Sequence, residues 1–281
     1  MKPPGTVDSR FCESVERNRN IMSPAIDLDH ALRVARAAAA SADRIAMNYF
    51  RTEALSVERK ADASPVTVAD RECEAAIREI LLTDFPDHAV FGEEYGRDGD
   101  SHCLWLVDPI DGTRSFIRGL PFWSVQIALM VDGDLVLGVS SAPAFSETAW
   151  AVAGGEASMD GRALALRSTD RIEQADVSFG NLRSLAASQG WAAAGELVRR
   201  AARCRGYGDF YSYHRLADGS QDVVIESDVN ILDIAALTVI CRQAGARVTD
   251  LQGGPIGLDT TSILAAGPAL HEQVLFLFHD A

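Results

Sequence analysis

The chain has 281 residues, enough for one large domain or two small ones, and 47% of them are hydrophobic, so a full core can form. Its 26 basic and 40 acidic side chains give a net charge of −14, which argues against nonspecific nucleic-acid binding and against docking on an anionic membrane. The five cysteines are scattered and include no CxxC pair. The sequence therefore disfavours a disulfide scaffold or a zinc ribbon, and it predicts that the protein is located in the reducing cytoplasm.

The first 22 residues are polar and irregular and lack the apolar core of a signal peptide. We predict that residues 1–22 are a mobile extension and that 23–281 form a single domain of two closely packed halves, 23–165 and 166–281. No apolar run reaches about 18 residues, so the sequence predicts no membrane-spanning segment.

Two helices are predicted near the start of this domain. An alanine-rich amphipathic pattern predicts the first from Asp27 to about Arg51. Thr67 is a suitable N-cap for the second, from about Val68 to Asp84. A short strand, residues 88–91, then leads into the loop Gly92-Glu93-Glu94-Tyr95-Gly96, and residues 97–102 are predicted to be an exposed loop.

The chain is organised around a buried strand, Leu104 to Val107, that ends in Asp108-Pro109-Ile110-Asp111-Gly112-Thr113. An apolar run followed by Pro and Gly indicates a strand and then a turn. The mouth of such a strand is where open sheets usually place ligands, and a turn or helix starting near Thr113 would offer N–H groups to an anion.

The rest of the chain is predicted to consist of β-strands followed by alternating helices and strands. From Ser124 to Leu166 the pattern predicts a mainly antiparallel meander. Beyond it, helices alternate with short strands, including a buried strand Val223–Ile225 that ends at Glu226 and a helix Ile231–Ala244 capped by Asn230. This alternation predicts stacked layers of helices and sheets.

Acidic residues recur where predicted strands end or helices begin: Asp70, Glu93, Asp108, Asp111 and Asp233. Each has an ordinary explanation alone, as a solvated turn residue or as a partner of a helix dipole. Together they form a carboxylate cluster that needs an oxygen-preferring cation such as Mg²⁺. The six histidines show no zinc-ligand spacing, and the chain has no P-loop, GxSxG or GxGxxG motif. A cation beside an anion-binding turn predicts phosphoryl transfer to water.

These motifs resemble the inositol-monophosphatase superfamily from about residue 27 to the C-terminus. The resemblance is carried by the hexapeptide at 108–113, by Gly92-Glu93-Glu94, by Asp233 in Leu232-Asp233-Ile234-Ala235-Ala236, and by residues 65–70. It implies a fold of the mixed α/β (α+β) class, a layered α/β/α/β/α sandwich, and a homodimer acting on a small-molecule phosphate monoester. The family usually has Trp before the last Asp, and Leu232 in that place affects packing.

The resemblance also implies a role for each motif residue. Mg²⁺ would be held by the side chains of Glu93, Asp108, Asp111 and Asp233 and by the carbonyl of Ile110. Asp70 and Thr113 would orient the attacking water and, with Glu93, form the catalytic set. Backbone N–H groups of Gly112 and Thr113 would hold the phosphate.

A second segment narrows the choice among possible substrates. Arg205-Gly206-Tyr207-Gly208-Asp209-Phe210-Tyr211, with Glu226 seven residues before Asp233, is similar to the branch that dephosphorylates L-histidinol phosphate. Asp209 and Glu226 are predicted to bind the amino and imidazole groups, because carboxylates suit a cationic leaving group. Arg205, in the same segment, is the third predicted substrate-binding residue. Inositol monophosphatase remains the alternative, since Glu226 could instead meet sugar hydroxyls. Sugar bisphosphatases, sulfonucleotide phosphatases and a catalytically inactive scaffold paralogue also remain open.

Overall fold

The computed structural model describes residues 26–52, 57–59 and 65–279. The predicted extension, residues 1–22, lies outside these ranges. Within the ranges there are eight α-helices: α1 Leu28–Tyr49, α2 Val68–Asp84, α3 Thr113–Ile117, α4 Leu182–Ala187, α5 Trp191–Arg200, α6 Asp209–Ala217, α7 Ile231–Gln243 and α8 Pro268–His279. Every one of them is either too short or too polar to cross a bilayer.

Most strands of the first half form one sheet. Two short strands, β1 Val57–Arg59 and β2 Pro65–Thr67, form a separate antiparallel pair. The eight-stranded sheet consists of β3 Ala89–Gly92, β4 Gly96–Asp98, β5 Cys103–Asp111, β6 Ser124–Val131, β7 Asp134–Ala142, β8 Glu147–Val152, β9 Ser158–Met159 and β10 Arg162–Ala163. Its order is β10-β9-β8-β7-β6-β5-β3-β4, and every neighbouring pair is antiparallel except β3 and β5. The predicted meander is therefore confirmed.

The second half supplies a mixed five-stranded sheet. Its strands are β11 Asp176–Phe179, β12 Arg203–Arg205, β13 Val223–Ser227, β14 Arg247–Thr249 and β15 Ser262–Ala266. The order is β12-β11-β13-β15-β14, with β11 parallel to both of its neighbours and β15 antiparallel to both of its own.

Three hydrophobic cores hold five layers together, the second core covering both faces of the middle helical layer. The first lies between helices α1 and α2 and one face of the large sheet, and it contains Trp105 and Ile127. The second lies between the two sheets, around α6 and α7, and contains Leu106 and Val224. The third joins the outer face of the small sheet to α5 and α8, and Ile225 belongs to it. The predicted α/β/α/β/α sandwich is confirmed.

Alternation along single strands produces these layers. On β5, Trp105 faces the first core while Leu106 faces the second, and both are buried. Because both faces of the strand are covered, the sequence shows an unbroken apolar run rather than an apolar–polar alternation. The central helix α7 approaches β7 so closely that a Cβ on Gly138 would lie 2.4 Å from the carbonyl oxygen of Ala236.

Two local predictions were wrong. The central strand does not end at Val107, because Asp108 and Asp111 still pair with β6, and the register shifts between these two residues. The segment 97–102 is not all loop, because Gly96–Asp98 forms β4 on the edge of the large sheet. A largely exposed edge strand has no apolar periodicity, so the polar sequence of β4 could not be distinguished from a loop.

Candidate active site

The predicted acids come together at one end of β5. Asp108 and Asp111 occupy the irregular last stretch of β5, and Glu93 directly follows the parallel neighbour β3. Asp70 lies in the first turn of α2 and Asp233 in the first turn of α7. The two helices flank opposite faces of the large sheet, so their N-terminal ends deliver acids from both sides.

Three of these carboxylates are close enough to share one cation. One carboxylate oxygen from each of Asp108, Asp111 and Asp233 lies within 4.8 Å of the other two. Asp108 is only 2% exposed and Asp111 only 8% exposed. Three hard oxygen donors at this spacing match the ligands that Mg²⁺ or another oxygen-preferring cation uses.

Glu93 joins this group electrostatically. Burial raises the pKa of Asp108 well above its usual range, and the neighbouring, hydrogen-bonded Glu93 raises it further. Burial, followed by the charges of Asp209 and Asp233, likewise raises the pKa of Asp111. The pKa of Asp233 is raised to about 6, first by burial and then by Glu93. Carboxylates that repel each other in this way are stabilised by a cation placed between them.

The irregular end of β5 fixes the two central acids. The backbone N–H of Ile110 donates to Asp108 Oδ1 at 3.0 Å. Ser124, the register partner of Asp111, donates its hydroxyl to Asp111 Oδ2 at 3.4 Å. A register shift in an antiparallel pair changes the direction of side chains, and here both Asp108 and Asp111 lie in the cluster with Asp233.

Gly112 provides the turn that follows. Its φ is +86°, and a Cβ there would lie 2.6 Å from the carbonyl oxygen of Phe122. Only glycine fits both conditions. Helix α3 begins at Thr113, and its Ser115 N–H already donates to the Gly112 carbonyl oxygen at 2.8 Å. The N–H groups that precede it at a helix start have no intrahelical acceptor and can face an anion. The phosphate role of Gly112 and Thr113 stays a prediction.

Asp70 has one anchored oxygen and one oxygen turned toward the site. Its Oδ2 accepts from the Thr67 N–H at 2.8 Å and from the Thr67 hydroxyl at 2.6 Å, completing a capping box at the start of α2. Its Oδ1 lies 3.3 Å from the hydroxyl of Thr113, which also lies 3.1 Å from the carbonyl oxygen of Ile110. Asp70 therefore takes part in capping its own helix through Oδ2, while Oδ1 remains turned toward Thr113.

Asp233 is also held by the N-cap residue of its helix, α7, but through both of its oxygens. The Asn230 backbone N–H donates to Asp233 Oδ2 and the Asn230 amide donates to Oδ1, both at 2.9 Å. Leu232, where the resembling family usually has Trp, is 4% exposed and belongs to the core between the sheets. The departure changes packing next to Asp233 and leaves its carboxylate in the cluster.

Two of the three predicted substrate residues lie beside the cluster. Glu226, at the end of β13, is 4% exposed, and burial raises its pKa to about 8. Tyr213 donates its hydroxyl to Glu226 Oε2 at 2.6 Å. Asp209 begins α6, and burial raises its pKa to about 6. Charge interactions join Asp209 and Glu226 to Asp111, so both carboxylates face the same region.

Arg205 is placed differently. Its side chain is exposed, it donates to the carbonyl of Cys204 at 2.8 Å, and it lines a cavity with Arg203, Tyr211 and Arg215. The structure gives it no contact with the carboxylate cluster, and its substrate role stays a prediction.

Tertiary contacts add residues that the sequence reading did not single out. Tyr213 holds Glu226, and Ser124 donates to Asp111. Glu74 is a fully buried acid one helical turn after Asp70. The only sequence signal for Glu74 is this spacing of four residues on a helix. The other two carry none, because their partners come from distant elements.

Known proteins match both the sequence and the fold. A model of the inositol monophosphatase family matches residues 27–281. Histidinol-phosphatase of Mycobacterium tuberculosis is 39% identical over 258 residues, covering 87% of this chain and 96% of that protein. Histidinol-phosphatase of Streptomyces coelicolor is 37% identical over 256 residues, covering 87% and 95%. An inositol monophosphatase from Zymomonas mobilis superimposes with a TM-score of 0.81 at 32% identity, covering 90% and 99%. With the family model spanning nearly the whole chain and relatives this similar, the chain belongs to the inositol monophosphatase family.

Proposed function

We propose that the protein is a Mg²⁺-dependent phosphomonoesterase that hydrolyses L-histidinol phosphate to L-histidinol and phosphate. Family membership and the histidinol-phosphatase relatives support a phosphatase. The observation that carries the finer assignment is the pair of carboxylates, Asp209 and Glu226, set beside the metal-type cluster with their charges coupled to Asp111. A cationic leaving group is the natural partner for two acids in that position.

The donor set fits Mg²⁺. The three clustered side chains offer carboxylate oxygens only, which suits a hard cation better than zinc. We assign the ligands as Glu93, Asp108, Asp111 and Asp233, with the carbonyl of Ile110. When bound, the cation supplies charge stabilisation for the phosphoryl and leaving oxygens and makes water more acidic.

The remaining chemistry belongs to the chain itself. We assign Asp70 and Thr113 to the attacking water, because Asp70 Oδ1 and the Thr113 hydroxyl face each other at 3.3 Å. The water oxygen forms a bond to phosphorus while the ester P–O bond breaks. Asp70 accepts the proton that the water loses, and the departing oxygen of L-histidinol takes a proton from solvent. The N–H groups of Gly112 and Thr113 hold the phosphoryl oxygens, an arrangement of preorganised donors that stabilises developing charge.

The leaving group is recognised on the other side of the cluster. Asp209 and Glu226 accept hydrogen bonds from the amino and imidazole groups of L-histidinol. Glu226 is already held by Tyr213 at 2.6 Å, so little side-chain freedom is lost when substrate binds. Arg205→Gln tests the third predicted contact, and a raised KM would place Arg205 at the substrate.

Inositol monophosphatase is the second candidate. The pKa of about 8 for Glu226 favours a protonated acid, which suits neutral sugar hydroxyls as well as an amine. The solved Zymomonas mobilis relative carries that activity in its name. An inactive scaffold is disfavoured because Asp70, Glu93, Asp108, Asp111 and Asp233 are all present and clustered around one strand end.

The substrate is tested by measuring kcat/KM for L-histidinol phosphate and for myo-inositol 1-phosphate on one preparation with saturating Mg²⁺. We expect a preference of at least about 100-fold for L-histidinol phosphate, since two acids left without their partners strongly penalise the wrong leaving group. A preference for myo-inositol 1-phosphate would replace the substrate and leave the metal mechanism intact. Hydrolysis of neither ester, with other phosphate esters also inert, would favour the scaffold alternative.

The biological setting is part of the same proposal. A histidinol-phosphate phosphatase acts in histidine biosynthesis, and we place the protein in the cytoplasm as a homodimer. Light scattering on the purified chain measures the oligomeric state, and a monomer at micromolar concentration would contradict that part of the proposal.

A further inference from the structure

We propose that Glu74 is a positioning residue for the metal site, holding the Glu93 loop at a fixed place relative to Asp70. The inference rests on the proposed metal-binding role of Glu93. It concerns how the site is assembled, since Glu74 is given no role in the reaction.

Glu74 accepts hydrogen bonds from the loop that carries Glu93. Its Oε2 accepts from the N–H of Glu94 at 2.6 Å, and its Oε1 accepts from the N–H of Tyr95 at 3.3 Å. These two N–H groups belong to the three-residue turn between β3 and β4, immediately after Glu93. A carboxylate from another element therefore serves as the acceptor for the turn's backbone.

Arg78 links Glu74 to the far end of the same turn. Its Nε donates to Glu74 Oε1 at 2.8 Å, and its Nη2 donates to the carbonyl oxygen of Gly96 at the far end of the turn. Its guanidinium also lies over the ring of Tyr95, with 5.9 Å to the ring centroid. Glu74 is fully buried and the Arg78 side chain only 12% exposed, so solvent screens these contacts little.

The fit is close enough to constrain the sequence of the loop. A Cβ on Gly92 would lie 2.0 Å from Glu74 Oε1, so any larger residue at 92 would displace the Glu74 carboxylate. Three N–H donors converge on the two oxygens of Glu74. Glutamine has only one acceptor oxygen and would turn an NH₂ group toward one of those donors, so the site needs a carboxylate.

Helix α2 thereby controls two parts of the active site at once. Asp70, Glu74 and Arg78 are spaced by four residues and lie along one face of α2. Asp70 points into the carboxylate cluster, where Glu93 raises its pKa after burial has done so. One turn further on, Glu74 fixes the loop from which Glu93 extends. A rigid helix therefore sets the position of Glu93 relative to Asp70, and groups that orient metal ligands in this way affect metal affinity.

The test is calorimetric titration of the full chain with Mg²⁺, without substrate, comparing wild type with Glu74→Gln. We expect the Kd for Mg²⁺ to rise about 10- to 100-fold. The KM for substrate at saturating Mg²⁺ should stay close to the wild-type value, because Glu74 does not touch substrate.

The matched control is Asp222→Asn. The Asp222 side chain is a fully buried acid that binds Arg167 at 2.5 Å and accepts the N–H of Asp176 at 2.8 Å, but it lies immediately before β13 of the small sheet. Both variants lose stability by the same mechanism, so a shift in Kd confined to Glu74→Gln separates positioning from general stabilisation. Equal Mg²⁺ affinity in Glu74→Gln and wild type would overturn the inference.

A second variant keeps the test decisive should Glu74→Gln fail to fold. Arg78→Lys retains the charge but loses the paired donors, and we expect a smaller rise in Kd; an unchanged Kd would overturn the inference. If wild type itself binds no Mg²⁺, the proposed metal-dependent function fails, an outcome distinct from a variant that binds like wild type.

Discussion

The hydroxyl of Thr113 lies 3.3 Å from Oδ1 of Asp70, which joins the first turn of α3 to the first turn of α2 across 43 positions of the chain. The other oxygen of Asp70 is occupied by Thr67, so only Oδ1 is turned toward Thr113. Two groups arranged in this way can orient a water, and that assignment can be tested without disturbing the helix cap.

Thr113→Ala removes the hydroxyl and leaves the capping box of α2 intact. We expect kcat to fall by about 100-fold, the usual size of an acid–base contribution, with KM nearly unchanged. Thr113→Ser keeps the hydroxyl and is the matched control, with kcat within a few-fold of wild type. Steady-state kinetics at saturating Mg²⁺ provide the measurement, and equal kcat values for the Ala and Ser variants would remove Thr113 from the water-orienting pair.

Asp111→Asn removes one of the three clustered carboxylates. We expect phosphate release to fall by more than about 100-fold, because loss of a metal ligand exceeds the effect of an outer hydrogen-bond partner. The melting temperature of the metal-free variant should rise, because a buried charge that is repelled by Asp209, Asp233 and Glu226 has been neutralised.

The control for that change is Asp132→Asn. Asp132 lies in the turn between β6 and β7 with φ of +52°, a conformation that asparagine also tolerates. It should leave both activity and the response to Mg²⁺ unchanged. An Asp111→Asn protein with full activity would mean that the cluster is not the catalytic metal site.

Glu226→Gln and Asp209→Asn test recognition of the leaving group. Each replaces an acid that is proposed to accept hydrogen bonds from a cationic group, so kcat/KM for L-histidinol phosphate should fall by about 10- to 100-fold, the range for hydrogen bonds to charged groups. The value for a small neutral phosphate ester should change by less than about threefold. Parallel losses on both esters would assign these acids to the metal site rather than to specificity.

Stability of the metal-free protein should depend on pH through Glu226. Its pKa rises from the ordinary 4.5 to about 8 in the folded state, chiefly by burial. The folded state therefore holds the proton more tightly than the unfolded chain, so the stabilisation is complete below pH 4.5 and is lost as pH rises through about 8. Asp209 and Asp233 have pKa values of about 6, so most of the stabilisation that their protonation contributes is already lost at pH 6.5.

The comparison is best made between pH 6.5 and pH 8.5. His88, His214 and His271 have lowered pKa values and destabilise the fold as pH falls through the ordinary histidine value of 6.5, so at pH 6.5 they offset part of the gain. We expect the free energy of unfolding in EDTA to be on the order of 1 kcal/mol larger at pH 6.5 than at pH 8.5. Urea unfolding measures it, and Glu226→Gln should lose most of the difference. Stability that increases with pH in both proteins would contradict the assigned pKa.

Much of the site was predictable because each acid carries a local signal. Asp108 and Asp111 end an apolar run, and Asp70 and Asp233 occupy third positions of helices whose caps, Thr67 and Asn230, are favourable residue types. The layered fold followed from the alternation of strand and helix patterns, and the three cores confirm it.

The parts that could not be predicted depend on contacts between distant segments. Nothing local distinguishes Glu74 or Tyr213 from other residues of amphipathic helices, because their partners Glu94 and Glu226 are supplied by other elements. The bulged end of β5 was hidden by Pro109, which reads as a strand terminator although the backbone still pairs with β6 beyond it. Arg205 and Asp209 belong to the same sequence segment, but Arg205 ends β12 and lines a surface cavity, whereas Asp209 begins α6 beside the carboxylate cluster.

The central claim is that the carboxylate cluster around β5 binds a divalent cation that hydrolysis of L-histidinol phosphate requires. The most direct measurement is phosphate release from this ester after exhaustive removal of divalent cations, followed by addition of Mg²⁺ alone. We expect no turnover in the stripped wild type, full recovery with Mg²⁺, and no recovery in Asp111→Asn. Undiminished turnover in the stripped wild-type protein would contradict it.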